Sequence, residues 1–169
     1  MTTIGILSDT HAYWDERYAR HLADCDEIWH AGDIGSAEIL DRLEQLGPTV
    51  RAVYGNADGS ELRRRLPTTQ LFAVEGLRVL LTHIGGYPGN YARPMASALA
   101  DHRPGLMVCG HSHILRVMPD RRLGLLHINP GAAGITGWQK VRTLVRLVID
   151  KGTPKSLEVI ELTPQKVIG

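Results

Sequence analysis

The chain has 169 residues, of which 43% are hydrophobic and 22% charged, proportions typical of one globular domain in water. Its formal net charge of +1 argues against a general nucleic-acid or membrane surface, and no apolar run approaches the roughly 20 residues of a membrane-spanning helix. The length favours a single domain over residues 1–169. The N-terminus lacks a signal-peptide pattern, and Cys25 and Cys109 allow at most one disulfide. We therefore expect the protein to lie in a reducing cytoplasm.

Strands and helices are predicted to alternate in the first part of the chain. Asp15 and Ser36 stand where N-capping residues are favoured, and Gly47-Pro48 ends the second helical pattern. The predicted strands cover 3–8, 27–31 and 50–54, and the predicted helices cover 15–24, the segment between Ser36 and Gly47, and 60–66. This alternation is typical of parallel βαβ units.

The later part of the chain is predicted to be richer in strands. Two apolar runs flank Glu75-Gly76 and predict a hairpin, and a helix is expected after the glycine-rich segment 85–89. The hairpin strands cover 70–74 and 77–82, the helix covers 91–101, and further strands cover 106–109, 114–118, 125–129, 141–149 and 156–162. Parallel units followed by a meander indicate an α/β fold of two packed sheets with helices outside them.

Side chains of the metal-ligand type follow the predicted strands at five places. In chain order these are Asp9-Thr10-His11, Gly32-Asp33, Gly55-Asn56-Ala57-Asp58, Thr82-His83 and Gly110-His111-Ser112-His113. The carboxyl ends of strands in an open α/β sheet share one edge, so these fragments are expected to converge there. Their oxygen and imidazole donors suit divalent ions such as Mn, Fe, Ni or Zn. Seven donors are too many for one tetrahedral ion but enough for two ions that share a carboxylate.

Each fragment taken alone has an ordinary structural explanation. Asp9 could cap a helix beside a surface histidine, Gly55-Asn56 could form a simple turn, and a strand-end histidine such as His83 is usually structural. His111 and His113 are harder to explain in this way, because two histidines separated by one residue after a glycine form a chelating pair. The ordered set therefore favours a metal site.

The ordered fragments resemble the calcineurin-like metallophosphoesterases. The chain is most similar to their small bacterial and archaeal phosphodiesterase branch, which also contains the retromer subunit of eukaryotes. The resemblance rests on SDTHA, HAGDIG, YGNAD, LTHIGG, CGHSHI and INPGA, and it covers residues 4 to about 133. It implies a four-layer α-β-β-α sandwich of two mixed sheets, with helices on the outer faces and the site at one edge.

The resemblance also implies a division of the donors between two ions, with Asp33 as the bridge. One ion would be held by Asp9, His11, Asp33 and His113, and the other by Asp33, Asn56, His83 and His111. His30 would support the ligands from behind, since metal ligands are commonly oriented by outer hydrogen bonds. The segment from His127 to Asn129-Pro130-Gly131 resembles one that lines the site in this family, without a chemical role that the sequence defines.

One departure from the family pattern affects the expected chemistry. Many larger relatives have a histidine after the asparagine, where it protonates the leaving group, but this chain has Ala57. Asp58 is the nearest candidate proton donor, and support of Asn56 is an equally good role for it. Arg93 is a candidate phosphate contact because guanidinium matches phosphate oxygens, whereas the run Arg63–Arg65 is expected to be a solvated helix face.

The leading functional hypothesis is a dinuclear phosphoesterase, more specifically a phosphodiesterase in which a metal-bridging hydroxide attacks phosphorus in line with the leaving oxygen. Its expected catalytic residues are Asp33, Asn56 and Asp58. The rival is a non-catalytic or weakly catalytic metal-binding scaffold for protein interactions, like the retromer subunit. A regulatory or storage protein with a single ion is a third alternative, which leaves the seven donors unexplained.

The expected cofactors are two divalent ions per chain, with Mn preferred and Ni, Fe, Zn or Mg as alternatives. The expected partner is a small phosphoester substrate. No stable nucleic-acid partner and no membrane association are expected, and the sequence leaves a homo-oligomer open.

Overall fold

The structure is a computed structural model that describes residues 1–162, so the last seven residues of the predicted domain lie outside the described part. The helices are α1 (Glu16–Leu22), α2 (Ala37–Gln45), α3 (Ser60–Arg65) and α4 (Arg93–His102). The first strands are β1 (Thr2–Leu7), β2 (Glu27–His30), β3 (Thr49–Ala52), β4 (Thr69–Val74), β5 (Leu77–Thr82), β6 (Gly86–Tyr87) and β7 (Asn90–Tyr91). The later strands are β8 (Leu106–Val108), β9 (Leu115–Asp120), β10 (Leu125–Pro130), β11 (Thr143–Asp150) and β12 (Thr153–Glu161).

Two five-stranded mixed sheets form the body of the molecule. The first has the order β12-β11-β1-β2-β3, in which β1, β2 and β3 are parallel and β11 and β12 are antiparallel. The second has the order β4-β5-β8-β10-β9, in which β5, β8 and β10 are parallel. The expected meander in the later part is therefore only partly correct, because the second sheet has a parallel centre, and only its edge strands β4 and β9 are antiparallel to their neighbours.

The apolar side chains divide into three layers between and outside the sheets. The central layer packs the sheets face to face, with Trp29 of the first against residues such as Phe72 of the second. A second layer, which includes Tyr18, Leu40 and Leu62, packs α1, α2 and α3 on the outer face of the first sheet. Leu99 of α4 packs on the outer face of the second sheet. This arrangement confirms the predicted α-β-β-α sandwich.

The ends of the helices differ in detail from the prediction. Asp15 caps α1 as expected, because its side chain accepts a hydrogen bond from Arg17 N. Ser36 occupies the N-cap position of α2, but its side chain makes no capping hydrogen bond. Helix α4 begins two residues later than predicted, since residues 86–91 form the small hairpin β6-β7. No helix among the described residues has the length and apolarity to cross a membrane.

Backbone hydrogen bonds join the loops at the carboxyl ends of the parallel strands. His11 N donates to Asp33 O at 3.0 Å, which ties the loop after β1 to the loop after β2. Gly134 N donates to Asp9 O at 3.1 Å, and Gly110 N donates to His83 O at 3.0 Å. The fragments that carry the predicted metal ligands are therefore fixed to one another by the main chain.

A fully buried ion pair connects the start of α1 to the loop before β11. Arg142 has no exposed surface, and its Nη2 donates to Asp15 Oδ2 at 3.0 Å. The Nε atom of Arg142 also donates to Ala133 O at 2.8 Å, and the hydroxyl of Tyr18 donates to the same carbonyl at 2.8 Å. Removing one partner of a buried pair leaves the other charge without adequate compensation.

We expect Arg142→Met to lower the free energy of unfolding by about 3 kcal/mol, the lower end of the range for breaking a buried pair, because Arg17 still contacts Asp15. The control is Arg146→Met on β11, whose partner Asp24 has a side chain that is 72% exposed. That substitution should cost less than about 1 kcal/mol. Urea denaturation measures both values, and equal losses would contradict the structural role assigned to Arg142.

Candidate metal centre

Six of the seven predicted donors lie in two clusters at one edge of the molecule. The first cluster is Asp9, His11 and His113, whose ligand atoms lie within 4.8 Å of one another. The second cluster is Asp33, His83 and His111, which meet the same limit. The side chains come from loops after β1, β2, β5 and β8, so strands of both sheets contribute to the edge.

Asp33 lies between the two clusters. Its Oδ2 atom is 3.2 Å from Nε2 of His83 and 3.7 Å from Nε2 of His11. Asp9 is more closely associated with the first cluster, because its Oδ1 atom is 3.2 Å from Nε2 of His113. A carboxylate in the position of Asp33 suits two ions about 3.5–4 Å apart, the separation typical of two-metal sites.

Three buried ligand atoms lack a hydrogen-bond partner among the described residues, namely Asp9 Oδ1, His11 Nε2 and His83 Nε2. His83 Nε2 is near Asp33, but the geometry there does not suit a hydrogen bond. Few buried polar atoms are left unpaired in proteins, because each such atom costs free energy. Divalent ions would pair with all three atoms, and nitrogen and oxygen donors suit first-row divalent ions. The residues therefore fit a metal centre.

Asn56 and Asp58 occupy the loop after β3. Asn56 is exposed and lines a cavity of about 440 Å³ together with His83. Asp58 is buried, and it accepts backbone hydrogen bonds from Ile34 N at 3.2 Å, from Gly35 N at 2.8 Å and from Gly55 N at 2.8 Å. Both carboxylate oxygens are therefore acceptors, and Asp58 joins the loop of Asp33 to the loop of Asn56.

The backbone is left-handed at most of the predicted ligands. Non-glycine residues rarely have a positive φ, and such residues concentrate at functional sites. Nine non-glycine residues with a positive φ occur among the described residues, and five of these nine are donors of the two clusters. Their φ values are 55° for Asp9, 44° for His11, 52° for Asp33, 73° for His111 and 63° for His113. The tight loop conformations thus turn the side chains back toward the shared edge.

The electrostatics keep both carboxylates ionised. Burial opposes ionisation of Asp9, but contacts with His11 and His113 outweigh it and hold the pKa of this carboxyl well below its ordinary value. Burial likewise opposes ionisation of Asp33, and contacts with His83 and the Ala57 backbone lower its pKa overall. Two anions are therefore available to a cation.

Two histidines have the opposite shift. Burial alone would lower the pKa of His83, but Asp33 and Asp9 outweigh it and raise the pKa. For His113, the contact with Asp9 is the main cause that raises the pKa. Without an ion, these imidazoles tend to carry protons that balance the carboxylates. A divalent ion must displace those protons, so the affinity for the ion falls as pH falls.

Hydrogen bonds orient the imidazoles from behind. The Nδ1–H of His83 donates to Ala31 O at 2.7 Å, which leaves Nε2 directed at the clusters. His113 Nδ1 lies 2.9 Å from Oε1 of Gln139, whose Nε2 donates to Gly134 O and Thr136 O. Gln139 Oε1 is therefore the acceptor, and Nε2 of His113 is free to bind metal. Sequence analysis did not identify Gln139, because it belongs to no motif.

His30 supports the loops of the site rather than the ligand side chains. It is fully buried, and desolvation lowers its pKa to about 4. Its Nδ1 accepts a hydrogen bond from Gly32 N at 3.1 Å, so its Nε2–H donates to Thr10 Oγ1 at 3.0 Å. The expected support from His30 is thus exerted on the backbone of Gly32, next to Asp33, and on the side chain of Thr10, next to Asp9.

The arginines near the clusters do not have the roles that the sequence predicts. Arg93 is exposed at the start of α4 and lines neither of the cavities that border the clusters. Arg63 does line the cavity beside Asn56, but its guanidinium donates to Asp58 O at 2.7 Å and to Asn56 O at 3.1 Å. Arg63 is therefore a tether of this loop rather than only part of a solvated helix face.

Gly55 allows the close approach of Asp33 to the loop after β3. A Cβ atom at Gly55 would lie closer than 3.0 Å to both Oδ1 and N of Asp33, whereas a Cβ at Gly59 would meet nothing within 4 Å. We expect Gly55→Ala to displace Asp33 and to weaken metal binding by about 10- to 100-fold, the range for disturbing the support of a ligand. Calorimetric titration with Mn²⁺ measures this change. Gly59→Ala should leave the affinity within about twofold, and a similar loss in both variants would contradict this role of Gly55.

Comparison with known proteins places these features in a family. Residues 2–152 match the calcineurin-like phosphoesterase superfamily domain. A "Probable metallophosphoesterase" of Methanothermobacter thermautotrophicus is 32% identical over 136 residues, which covers 76% of each chain.

Solved structures with the same fold are less similar in sequence. A structure described as a novel archaeal phosphodiesterase has a TM-score of 0.73 and 22% identity, with 95% of this chain and 99% of the other covered. Vps29 from Entamoeba histolytica, complexed with Zn²⁺, has a TM-score of 0.72 and 19% identity, with the same coverage of both chains. Together with the family match, these findings confirm the resemblance and the fold: the chain belongs to the calcineurin-like phosphoesterase superfamily.

Proposed function

We propose that this protein is a phosphodiesterase that hydrolyses a small phosphodiester with two divalent ions. The observation that carries the proposal is the pair of donor clusters with Asp33 between them and three buried, unpaired ligand atoms facing one another. Membership of a phosphoesterase superfamily supports the same activity.

The chain's own residues would hold and orient the ions. Asp33 would bridge them, and Asn56 would supply a neutral oxygen to the ion bound by His83 and His111. When bound, the two ions would activate water near neutral pH and neutralise charge on the phosphate. His83 and His113 are held with Nε2 toward the clusters by Ala31 O and Gln139, so little reorganisation is required when the ions bind.

A diester substrate is favoured over a monoester by the scarcity of available cations. A monoester carries more negative charge and needs more positive groups to bind it. Arg63 is engaged with two carbonyl oxygens, and Arg93 does not line the cavities beside the clusters. Arg116, which lines the cavity on the side of His111, is thus the one arginine of the described residues in these cavities that is not held by backbone carbonyls. We therefore propose that the ions supply most of the charge stabilisation of the transition state.

Asp58 is proposed to position the site rather than to protonate the leaving group. Its oxygens accept three backbone N–H groups, and it lies buried below the loop that carries Asn56. Ala57 has no proton to donate. Leaving-group protonation by a side chain is thus absent from the proposed mechanism.

The scaffold alternative keeps some support, because Vps29 structures are among the structural neighbours of the chain. That similarity concerns the fold alone. A scaffold does not require hydrolysis of any ester, so turnover by the metal-loaded protein distinguishes the two functions.

We also propose that the whole chain is one domain, that Mn²⁺ is its preferred ion and that it acts in the cytoplasm. The two cysteines, Cys25 and Cys109, support a location in the cytoplasm, since both are buried free thiols. Free thiols persist where thioredoxin and glutathione keep them reduced.

We expect the Mn²⁺-loaded protein to contain two ions per chain and to hydrolyse bis(p-nitrophenyl) phosphate. Asp33→Asn should lose about 100-fold or more of kcat/KM, because the shared carboxylate contributes to charge stabilisation of several kcal/mol by the ions. Elemental analysis and release of p-nitrophenolate measure the two effects.

The matched control is Asp101→Asn, which changes an exposed aspartate on α4. It should retain both ions and full turnover. At most one ion per chain at saturation would contradict the dinuclear centre, and an absence of turnover with any diester would favour the scaffold.

Turnover is expected to depend steeply on the acidity of the leaving group, because Ala57 and Asp58 do not protonate it. General acid catalysis typically contributes about 10²–10⁴-fold, so alkoxides should leave slowly and phenolates readily. The measurement is log kcat against leaving-group pKa for a series of aryl and alkyl diesters. A flat plot, with chemistry shown to be rate-limiting, would mean that another side chain donates the proton.

A further inference from the structure

A second cavity adjoins the metal centre on the side of His111. Its volume is about 310 Å³, which is within the usual range for small-molecule sites. We call it the His127 pocket and define it by Tyr87, Tyr91, His111, Ile114, Arg116 and His127. Because His111 belongs to the second donor cluster as well, a ligand bound at the metal centre can extend directly into this pocket.

His127 is the most unusual residue of the pocket. It is 1% exposed, and neither of its ring nitrogens has a hydrogen-bond partner among the described residues. Desolvation, with a smaller contribution from Arg116, lowers its pKa to about 4, so the ring is neutral at physiological pH. A neutral imidazole has one donor and one acceptor. Leaving both unpaired in a buried position is costly, which points to a ligand that pairs with at least one of them.

Apart from Arg116, the polar side chains nearest to His127 are already paired. Asn129 Nδ2 donates to Gly110 O and Ser112 Oγ, each at 3.0 Å, and its Oδ1 accepts from Gly131 N at 3.0 Å. The hydroxyl of Tyr91 donates to Asp120 Oδ2 at 2.6 Å. A sugar or another ligand with many hydroxyls would therefore leave most of them unpaired in the pocket.

The remaining walls are apolar or flat. Ile84 and Ile114 are 45% and 57% exposed, and Tyr87 is 42% exposed. The guanidinium of Arg116 lies 4.2 Å from the centre of the Tyr87 ring, and no carboxylate among the described residues lies within ion-pair distance of Arg116. Aromatic rings and guanidinium planes are the surfaces on which planar bases stack in proteins.

We propose that the His127 pocket binds a planar heteroaromatic group with the chemistry of a nucleobase, so that the substrate is a nucleotide-type phosphodiester. The edge of the ring would exchange a hydrogen bond with one ring nitrogen of His127, because the two nitrogens point in different directions, and its faces would contact Tyr87, Arg116 and the isoleucines. This assignment of the substrate class rests on the proposed phosphodiesterase function, since the phosphate would lie at the metal centre.

The test compares two esters that release the same p-nitrophenolate from Mn²⁺-loaded protein: thymidine 5′-(p-nitrophenyl) phosphate and methyl p-nitrophenyl phosphate. In each, the oxygen of water bonds to phosphorus, the P–O bond to p-nitrophenolate breaks, and the released protons pass to solvent. We expect kcat/KM to be about 10- to 100-fold higher for the thymidine ester, the effect of pairing one or two buried polar atoms. Equal values for the two esters would overturn the proposal.

Variants then assign the preference to His127. His127→Phe keeps a ring but removes both nitrogens, and we expect it to reduce the ratio of the two kcat/KM values to about threefold or less. His127→Gln keeps one donor and one acceptor and should retain part of the preference. The matched control is His102→Phe on α4, which should leave the ratio unchanged. An unchanged ratio in His127→Phe would overturn the role of this residue.

A binding measurement separates this inference from the proposed function. Thymidine lacks the phosphate, so its binding to the metal-loaded protein by calorimetry does not depend on catalysis. Saturable binding that His127→Phe abolishes would support the pocket even if no diester were hydrolysed, in which case only the phosphodiesterase proposal fails. If both esters were hydrolysed with equal kcat/KM and thymidine did not bind, the proposed phosphodiesterase function would be supported. The proposed binding of a nucleobase in the His127 pocket would then be wrong. Circular dichroism of each variant checks that it is folded.

Discussion

The structure depends on holding two buried carboxylates close to one another. His83 Nε2 lies 4.0 Å from Asp9 Oδ1 and 3.2 Å from Asp33 Oδ2, and the charge of Asp9 opposes the ionisation of Asp33. Such a pair requires positive charge at the same edge, either as protons on imidazoles or as metal ions. Two further features hold the side chains of the clusters close together. Five of the donors have a left-handed backbone, and backbone hydrogen bonds join the loops that carry them. Binding of ions would therefore release free energy that folding leaves stored at this edge.

Much of this arrangement could be predicted from local sequence. Short apolar runs followed by Asp or His identified the strands and, by the geometry of parallel sheets, the edge where Asp9, Asp33 and His83 meet. The layers followed because helices in βαβ units must cover a sheet. The boundaries of the helices and strands were less predictable. Residues 86–91 form a hairpin in which Gly86 and Gly89 have positive φ values, so α4 begins later than the sequence indicates.

Features that depend on contacts distant in sequence could not be predicted. Arg142 pairs with Asp15 across 127 residues, and Gln139 meets His113 across 26, without a motif at either position. The parallel centre of the second sheet was also missed, because β8 and β10 are joined through β9, which suggests a meander, and because α4 was not interpreted as a crossover between β5 and β8. His127 could be noticed as a histidine on a late strand, but its lack of partners is a property of the packed molecule.

The position of β1 in the first sheet has a consequence for synthesis of the protein on the ribosome. Strand β1 emerges first, yet one of its two neighbours is β11, which lies about 140 residues later in the chain. Until Thr143–Asp150 emerges, one edge of β1 has no native partner, and an open strand edge is a template for association with other chains. His111 and His113 also emerge long after Asp9, so a metal ion cannot organise the nascent first half. Nascent chains are therefore expected to need protection by chaperones until β11 has docked.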